Sequence, residues 1–410
     1  MPKAWIIDVN MGYGHQRTAY PLRHLAPDGK IIHANDYDGI PLKDKKIWLS
    51  SQKFYEFISR FKKIPIMGEA AFFIFDYFQK ILNFYPKRDL SSPTFMLKRN
   101  YSLFKNGWGK DLIERLKEKP LPLITTFFVP AFMAEFFNYP EDIFCVICDA
   151  DISRSWAPIN PQKSRIKYFA PNEKVYERLK MYGVLKENIY ITGYPLPNEL
   201  IDKEDLKTRI INLDPLKKYI SKYKTLIEGY IGPLPQRSDR VLTIMFAIGG
   251  AGAQSEIAKK IIKSLKDKLE KEEIKLIISI GTKKEFKKYF EKDKVELVYG
   301  ENIDDYFRNF NDALKRTDIL WTKPSELSFY AGIGLPIIIA PTIGSQEDFN
   351  RLWLLEVGAA KDQENPNYTD QWLFDLINSG WFAEAAMQGF VEVEKMGVFN
   401  IEKILLNLSK

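Results

Sequence analysis

Cysteine is almost absent from this 410-residue chain, which has only Cys145 and Cys148. A disulfide framework of the kind that staples secreted domains is thereby excluded. With no signal-peptide pattern at its start, the chain is expected in a reducing cytoplasmic setting. Histidine is nearly as scarce: His15, His24 and His33 are the three. No run reaches the ~18 uninterrupted apolar residues that a membrane-spanning helix needs. There is no internal repeat and no low-complexity tract. Nor does a basic tail or a nucleic-acid motif accompany the net charge of +7, so nucleic acid is not an expected partner. A nucleotide or an anionic lipid surface is better matched to that charge. What is present is a 45% hydrophobic content, ample for globular cores, in a length for which two domains are the default.

The most informative stretch is TKPSELSFYAGIGLPIIIAPTIGSQEDFNRLWLLEVGAA, residues 322–360. It follows a buried-strand pattern at 318–321, passes through a helix into an apolar strand at 335–340, and breaks at Pro341 and Gly344. Ser345, Gln346, Glu347, Asp348 and Asn350 then open another helix. Polar groups just past the carboxyl end of a strand stand where open parallel sheets bind ligands. Gln, Glu and Asn there can hydrogen-bond the hydroxyls of a sugar or ribose. The plainer reading is a helix start, with Ser345 as cap and Asp348 near the positive helix end.

At the amino terminus the apolar run 4–9 reads as a first buried strand. Asn10-Met11-Gly12-Tyr13-Gly14-His15 follows, then a helical stretch over 16–25. Gly12 and Gly14 let the backbone turn sharply and approach a ligand, and a helix start offers N–H groups to an anion. No third glycine follows at the dinucleotide spacing. A neutral His15 can serve as general base; the alternative is a loop histidine bonded to a backbone carbonyl.

In the second half, a strand at 240–248 runs into Gly249-Gly250-Ala251-Gly252-Ala253 and a helix reaching residue 269. Such a unit cradles phosphate through backbone amides and the helix dipole. The segment IFCVICDADISRSWAP, 143–158, puts Asp149 and Asp151 at the carboxyl end of a buried strand. Carboxylates there can act as base or bind acceptor hydroxyls, and an Asp-x-Asp can also hold a divalent metal; Asp151 is equally suited to cap a helix. Cys145 and Cys148 point to opposite faces of that strand and lack a second pair for zinc, so both read as buried free thiols. Between residues 54 and 108, FYEFISRFKKIP and AAFFIFDYFQKILNFYPKR mix aromatic residues with Lys and Arg. An amphipathic helix of this kind can lie in an anionic bilayer interface. Since Phe72, Phe73, Phe75, Tyr77 and Phe78 surround nearly the whole helix, part of it must be buried.

Taken together, these motifs resemble the diacylglycerol glycosyltransferases, namely the monogalactosyldiacylglycerol synthases and the processive bacterial glucosyl enzymes. The UDP-GlcNAc transferase that completes lipid II is a more distant relative. TKP, GLP, SQE with Asn350 three residues after Glu347, and VGAA resemble the family's donor segment; GYGHQRTA resembles its GGGH-x-x-A loop. Asp149 with Trp156 matches a single Asp followed by a Trp, and Thr192-Gly193-Tyr194-Pro195 the Thr-Gly-x-Pro at the domain crossover. The resemblance implies an α/β chain of the GT-B fold, two Rossmann-like domains facing a central cleft. Residues 1–200 would form the acceptor-side domain with an aromatic and basic insertion at about 45–110. A linker, 201–239, would lead to a nucleotide-sugar domain, 240–385, and a final helix, 386–410, would pack back on the first domain.

The same resemblance implies a donor site of Gly249, Gly250, Gly252, Lys323, Ser325, Glu326, Ser345, Gln346, Glu347 and Asn350. Gly12 and Gly14 would form the loop facing phosphate and acceptor, and His15 and Asp149 the catalytic pair, without metal. Three departures stand out. Ser345 replaces a Gly; the Gly-Gly after TKP is missing; and Thr125-Thr126-Phe127-Phe128 replaces a Thr-His-Pro turn. Glu326 either replaces the family's ribose-binding Glu from one turn earlier or caps the helix. The expected activity is inverting transfer of a sugar from a UDP-sugar co-substrate, with no other cofactor, to a lipid or other hydroxyl acceptor, with peripheral membrane contact. The alternatives are a GT-B sugar-nucleotide epimerase and a non-catalytic nucleotide-sugar-binding protein.

Overall fold

The computed structural model describes residues 2–61, 81–238, 240–248, 254–342 and 345–408, with backbone alone at 52–61 and at 345. Twelve described strands form two six-stranded sheets in which every pairing is parallel. Parallel strands are covered by helices on both faces, which is why these segments read as continuous apolar runs. The first sheet comprises β1 (Trp5–Asp8), β2 (Ile32–His33), β3 (Leu123–Thr125), β4 (Ile143–Val146), β5 (Lys167–Ala170) and β6 (Ile189–Ile191). Its order is β2-β1-β3-β4-β5-β6. The second comprises β7 (Leu242–Ala247), β8 (Ile274–Gly281), β9 (Glu296–Tyr299), β10 (Ile319–Thr322), β11 (Ile337–Ile339) and β12 (Ala360–Asp362). Its order, β12-β11-β10-β7-β8-β9, is that of a Rossmann sheet. The expected pair of Rossmann-like α/β units is therefore present.

The chain divides into two compact units. One holds residues 1–196, 343–350 and 396–410; the other holds 197–342 and 351–395. In the first unit, Ile6, Ile124, Phe144, Val146 and Phe169 build a core from the sheet, with Phe144 and Phe169 stacked at 4.9 Å. The helix Gly397–Leu408 completes that core with Val398, Ile401 and Leu405. Burying three such side chains is worth on the order of 5–9 kcal/mol as an upper figure, as much as the net stability of a typical domain. Its first residue is a glycine because a Cβ there would stand 2.2 Å from the Tyr194 carbonyl oxygen.

In the second unit, the stretch read as a Lys-rich linker is folded. Helices Lys203–Leu213 and Lys218–Ile231 set Leu206, Ile210, Leu213, Ile220, Ile227 and Ile231 into the core. Arg209 is wholly buried in it; its Nε donates to the Thr317 carbonyl at 3.0 Å and its Nη1 to the Ile333 carbonyl at 2.8 Å. Burial pushes its pKa down to about 10.

Two local expectations are corrected. The helix placed at 16–25 begins at Tyr13, ends at Ala19, and passes into a 3-10 turn, Tyr20–Leu25, because Pro21 carries no N–H for an α-helical bond. The helix before β11 is a 3-10 segment, Glu326–Ile333, closed by Gly334 in the left-handed region at φ 68. Among the described residues no helix is long and apolar enough to cross a membrane.

Candidate active site

In the first sheet the strand order turns at β1, whose neighbours are β2 and β3. Loops leaving adjacent strands at such a switch point diverge and open a ligand crevice. The loop after β1 is drawn toward the end of β2 by Asn35, whose Oδ1 accepts from Asn10 N–H at 2.8 Å and whose Nδ2 donates to the Asn10 carbonyl at 3.1 Å. Gly12 then takes φ +113, a value that a side chain would strain, and starts the helix carrying His15. The loop after β3 supplies Thr126. His15 Nδ1 lies 2.8 Å from the Thr126 carbonyl oxygen, and Thr126 Oγ1 donates to the His15 carbonyl at 3.0 Å. A carbonyl only accepts, so Nδ1 carries the hydrogen and Nε2 is the basic nitrogen of the neutral ring. The ring is half-buried beside Phe127 at 4.8 Å and Trp156 at 6.3 Å.

The loop after β4 brings a carboxylate to the same crevice. Cys148 Sγ is 3.5 Å from His15 Nδ1 and 4.0 Å from Asp149 Oδ2, so it lies between the two groups. Asp149 is half-buried, whereas Asp151 is not exposed at all. Both oxygens of Asp151 accept from Arg178, from Nε at 2.8 Å and from Nη2 at 2.7 Å, and Oδ1 also accepts from Ile152 N–H at 2.8 Å. Asp-x-Asp is thus a structural carboxylate beside one that faces the crevice, not a chelating pair. Neither cysteine is in a disulfide and both are buried; burial raises the Cys145 thiol far above its ordinary range. Cys148, read from its pattern as a buried thiol outside any disulfide, is one, and it also touches His15. That contact was hidden because β4 ends at Val146 and strand alternation no longer governs residue 148.

From the carboxyl-terminal motif, residues 343–350 belong to the first unit. Ser345 opens the helix Ser345–Val357; Gln346 and Glu347 are half-buried, Asp348 is exposed, and Asn350 is 0% exposed. Asn350 Oδ1 accepts from Ala150 N–H at 2.7 Å and Nδ2 donates to Asp149 Oδ1 at 3.1 Å. His15, Asp149 and Asn350, three residues distant in the chain, are brought together with Thr126, Phe127, Cys148 and Trp156.

In the second unit the order turns at β7, between β8 and β10. The loop after β10 carries Lys323, half-buried, and Ser325, which precedes the 3-10 segment without making a side-chain cap bond. Glu326 is buried in its first turn. Gly249, Gly250 and Gly252, in the loop after β7, lie outside the described residues. Gln254, which follows them, is 4% exposed, and neither of its amide atoms has a hydrogen-bond partner among the described residues. Sequence reasoning passed over Gln254; a glutamine closing a glycine-rich loop was the available signal. Of the aromatic and basic insertion, Phe72, Phe73, Phe75, Tyr77 and Phe78 lie outside the described residues. Phe104 and Trp108 are buried, while Tyr85 and Phe95 are exposed. Among the described residues no group of His, Cys, Asp and Glu is placed to hold a metal ion.

A family model described as "Domain of unknown function (DUF6938)" matches residues 236–313. Among curated proteins, the chain is 22% identical over 270 residues to the processive diacylglycerol beta-glucosyltransferase of Bacillus licheniformis. The match covers 64% of this chain and 62% of that protein, so less than two thirds of the relative's length is spanned. This relative is of the kind that the sequence motifs resemble. Among solved structures, MurG of Acinetobacter baumannii is 12% identical with a TM-score of 0.48, over 99% of this chain and 100% of that one. The S. aureus MnaA–UDP co-structure is 13% identical with a TM-score of 0.47, over 100% and 97%.

Proposed function

We propose that this chain is an inverting glycosyltransferase that moves a sugar from a UDP-type donor to a lipid hydroxyl without a metal ion. The observation that carries the reading is His15: its Nδ1–H is committed to the Thr126 carbonyl, which leaves Nε2 as the base. The acceptor oxygen attacks the anomeric carbon as its proton passes to Nε2. The bond from that carbon to the diphosphate oxygen breaks, and UDP leaves with the electron pair. One displacement of this kind inverts the centre. Asp149, two contacts away through Cys148, orients the acceptor hydroxyl or stabilises the imidazolium as it forms. Lys323 offsets negative charge on the leaving diphosphate. Gln346 and Glu347 hydrogen-bond donor hydroxyls, and the glycines at 249, 250 and 252 approach its phosphates.

Phe127, Phe128 and Trp156 pack within 4.4–6.3 Å of one another, an apolar wall where a lipid chain can lie. The diacylglycerol in the name of the Bacillus licheniformis relative is of the same chemical class. The experiment is incubation with labelled UDP-sugars and total membrane lipid. A labelled lipid product is expected. Turnover of UDP-GlcNAc without lipid would replace this reading with an epimerase, and nucleotide binding without any transfer would leave a binding protein. Gln346→Ala and Glu347→Ala should each weaken UDP binding in calorimetry; unaltered affinity in both would remove them from the donor site.

A further inference from the structure

Asn350 stands in the polar run whose resemblance assigns it to the sugar donor, yet it is 0% exposed and its carboxamide is turned into the protein. Oδ1 accepts from Ala150 N–H at 2.7 Å, and Nδ2 donates to Asp149 Oδ1 at 3.1 Å. Ala150 is held at its other backbone group too, because Asn172 Nδ2 donates to its carbonyl at 3.1 Å. The next residue, Asp151, is locked by Arg178. In this loop Asp149 is the acidic side chain left half-buried, and the amide of Asn350 holds one of its carboxylate oxygens. A planar carboxamide suits the task because one end accepts from the backbone while the other donates to the carboxylate. No other uncharged side chain of this length offers both.

We infer that Asn350 is a positioning residue for Asp149 and not a contact of the donor sugar. The inference rests on the glycosyl-transfer reading for its effect on turnover, and on geometry alone for the clamp. A carboxylate displaced by about 1 Å loses on the order of 10²-fold in rate. Asn350→Ala should therefore lower kcat by roughly 10- to 100-fold while leaving UDP affinity at the wild-type value, in contrast to Gln346→Ala. Asn350→Asp keeps the acceptor for Ala150 N–H but sets a second carboxylate where the donor was; it should lose as much turnover.

A wild-type kcat in Asn350→Asp, or a loss of UDP affinity in Asn350→Ala equal to that of Gln346→Ala, would overturn the assignment. The clamp is read without activity by a thermal-melt cycle of Asn350→Ala, Asp149→Ala and the double variant. A Tm loss in the double variant smaller than the sum of the singles supports the contact, and strict additivity overturns it. Should the wild-type protein transfer no sugar, the functional reading fails while this cycle still decides the clamp.

Discussion

Replacing Arg178 by Met leaves the Asp151 carboxylate buried without its cation. Both side chains are 0% exposed, and the pair is joined by two short hydrogen bonds, at 2.8 and 2.7 Å. Arg178 also lies 5.0 Å from the Phe84 ring. Removing one partner of such a pair costs about 3–5 kcal/mol, mostly because the remaining charge loses its compensation. For a unit of about 200 residues each kcal/mol lowers Tm by roughly 2–4 °C, so Arg178→Met should melt roughly 6–20 °C lower in scanning calorimetry. The double variant Arg178→Met with Asp151→Asn removes the stranded charge and should recover much of that loss. A fall of under about 3 °C in the single variant, or a double variant as unstable as the two singles summed, would refute the reasoning. The exposed pair Lys87–Glu177 is the control: Glu177→Gln should cost less than about 1 kcal/mol.

His15→Gln should lower kcat by about 10²- to 10⁴-fold with UDP affinity retained; a loss below tenfold in the labelled-lipid assay would remove His15 as base. Cys148→Ala should leave turnover largely intact, since the Thr126 carbonyl and not the thiol orients the imidazole; a loss matching that of His15→Gln would reverse that order of importance. Asp318 is fully buried, and burial raises its pKa against the opposing pull of Arg240, the Thr243 N–H and Asn212. A raised folded pKa stabilises fully below the unfolded value and loses that stabilisation as pH climbs through the folded one. The Tm of wild type minus that of Asp318→Asn should accordingly grow more positive as pH is lowered from 7 toward 4, and a gap that shrinks would contradict it.

Legibility in the sequence followed the range of the interaction. Apolar runs such as Ile143–Val146 and Leu242–Ala247 announced buried parallel strands, because their burial on both faces leaves no alternation. His15 stood out by its scarcity and by the glycines before it. The helices over 203–231 were hidden under Lys residues that cover their outer faces, and the break at Tyr20 was missed although Pro21 marked it. Asp149 was set apart from Asp151 by the resemblance, through Trp156, and not by any physical signal in the segment itself. The difference is made by Arg178, which reaches the Asp151 loop from the helix Glu173–Met181. The place of Asn350 was equally unreadable, since its partners at 149 and 150 are remote in the chain.

The helix Gly397–Leu408, which seals the first core, also sets an order of events during synthesis. The sheet it covers is complete at Ile191, but the ribosome makes its cover about 200 residues afterward, roughly 10–40 s at ordinary elongation rates. Through that interval Ile6, Phe144 and Phe169 line a surface still lacking Val398, Ile401 and Leu405. The half that is translated earliest is thus the one finished last, and nascent chains halted before residue 396 should be the ones that chaperones hold and proteases clear.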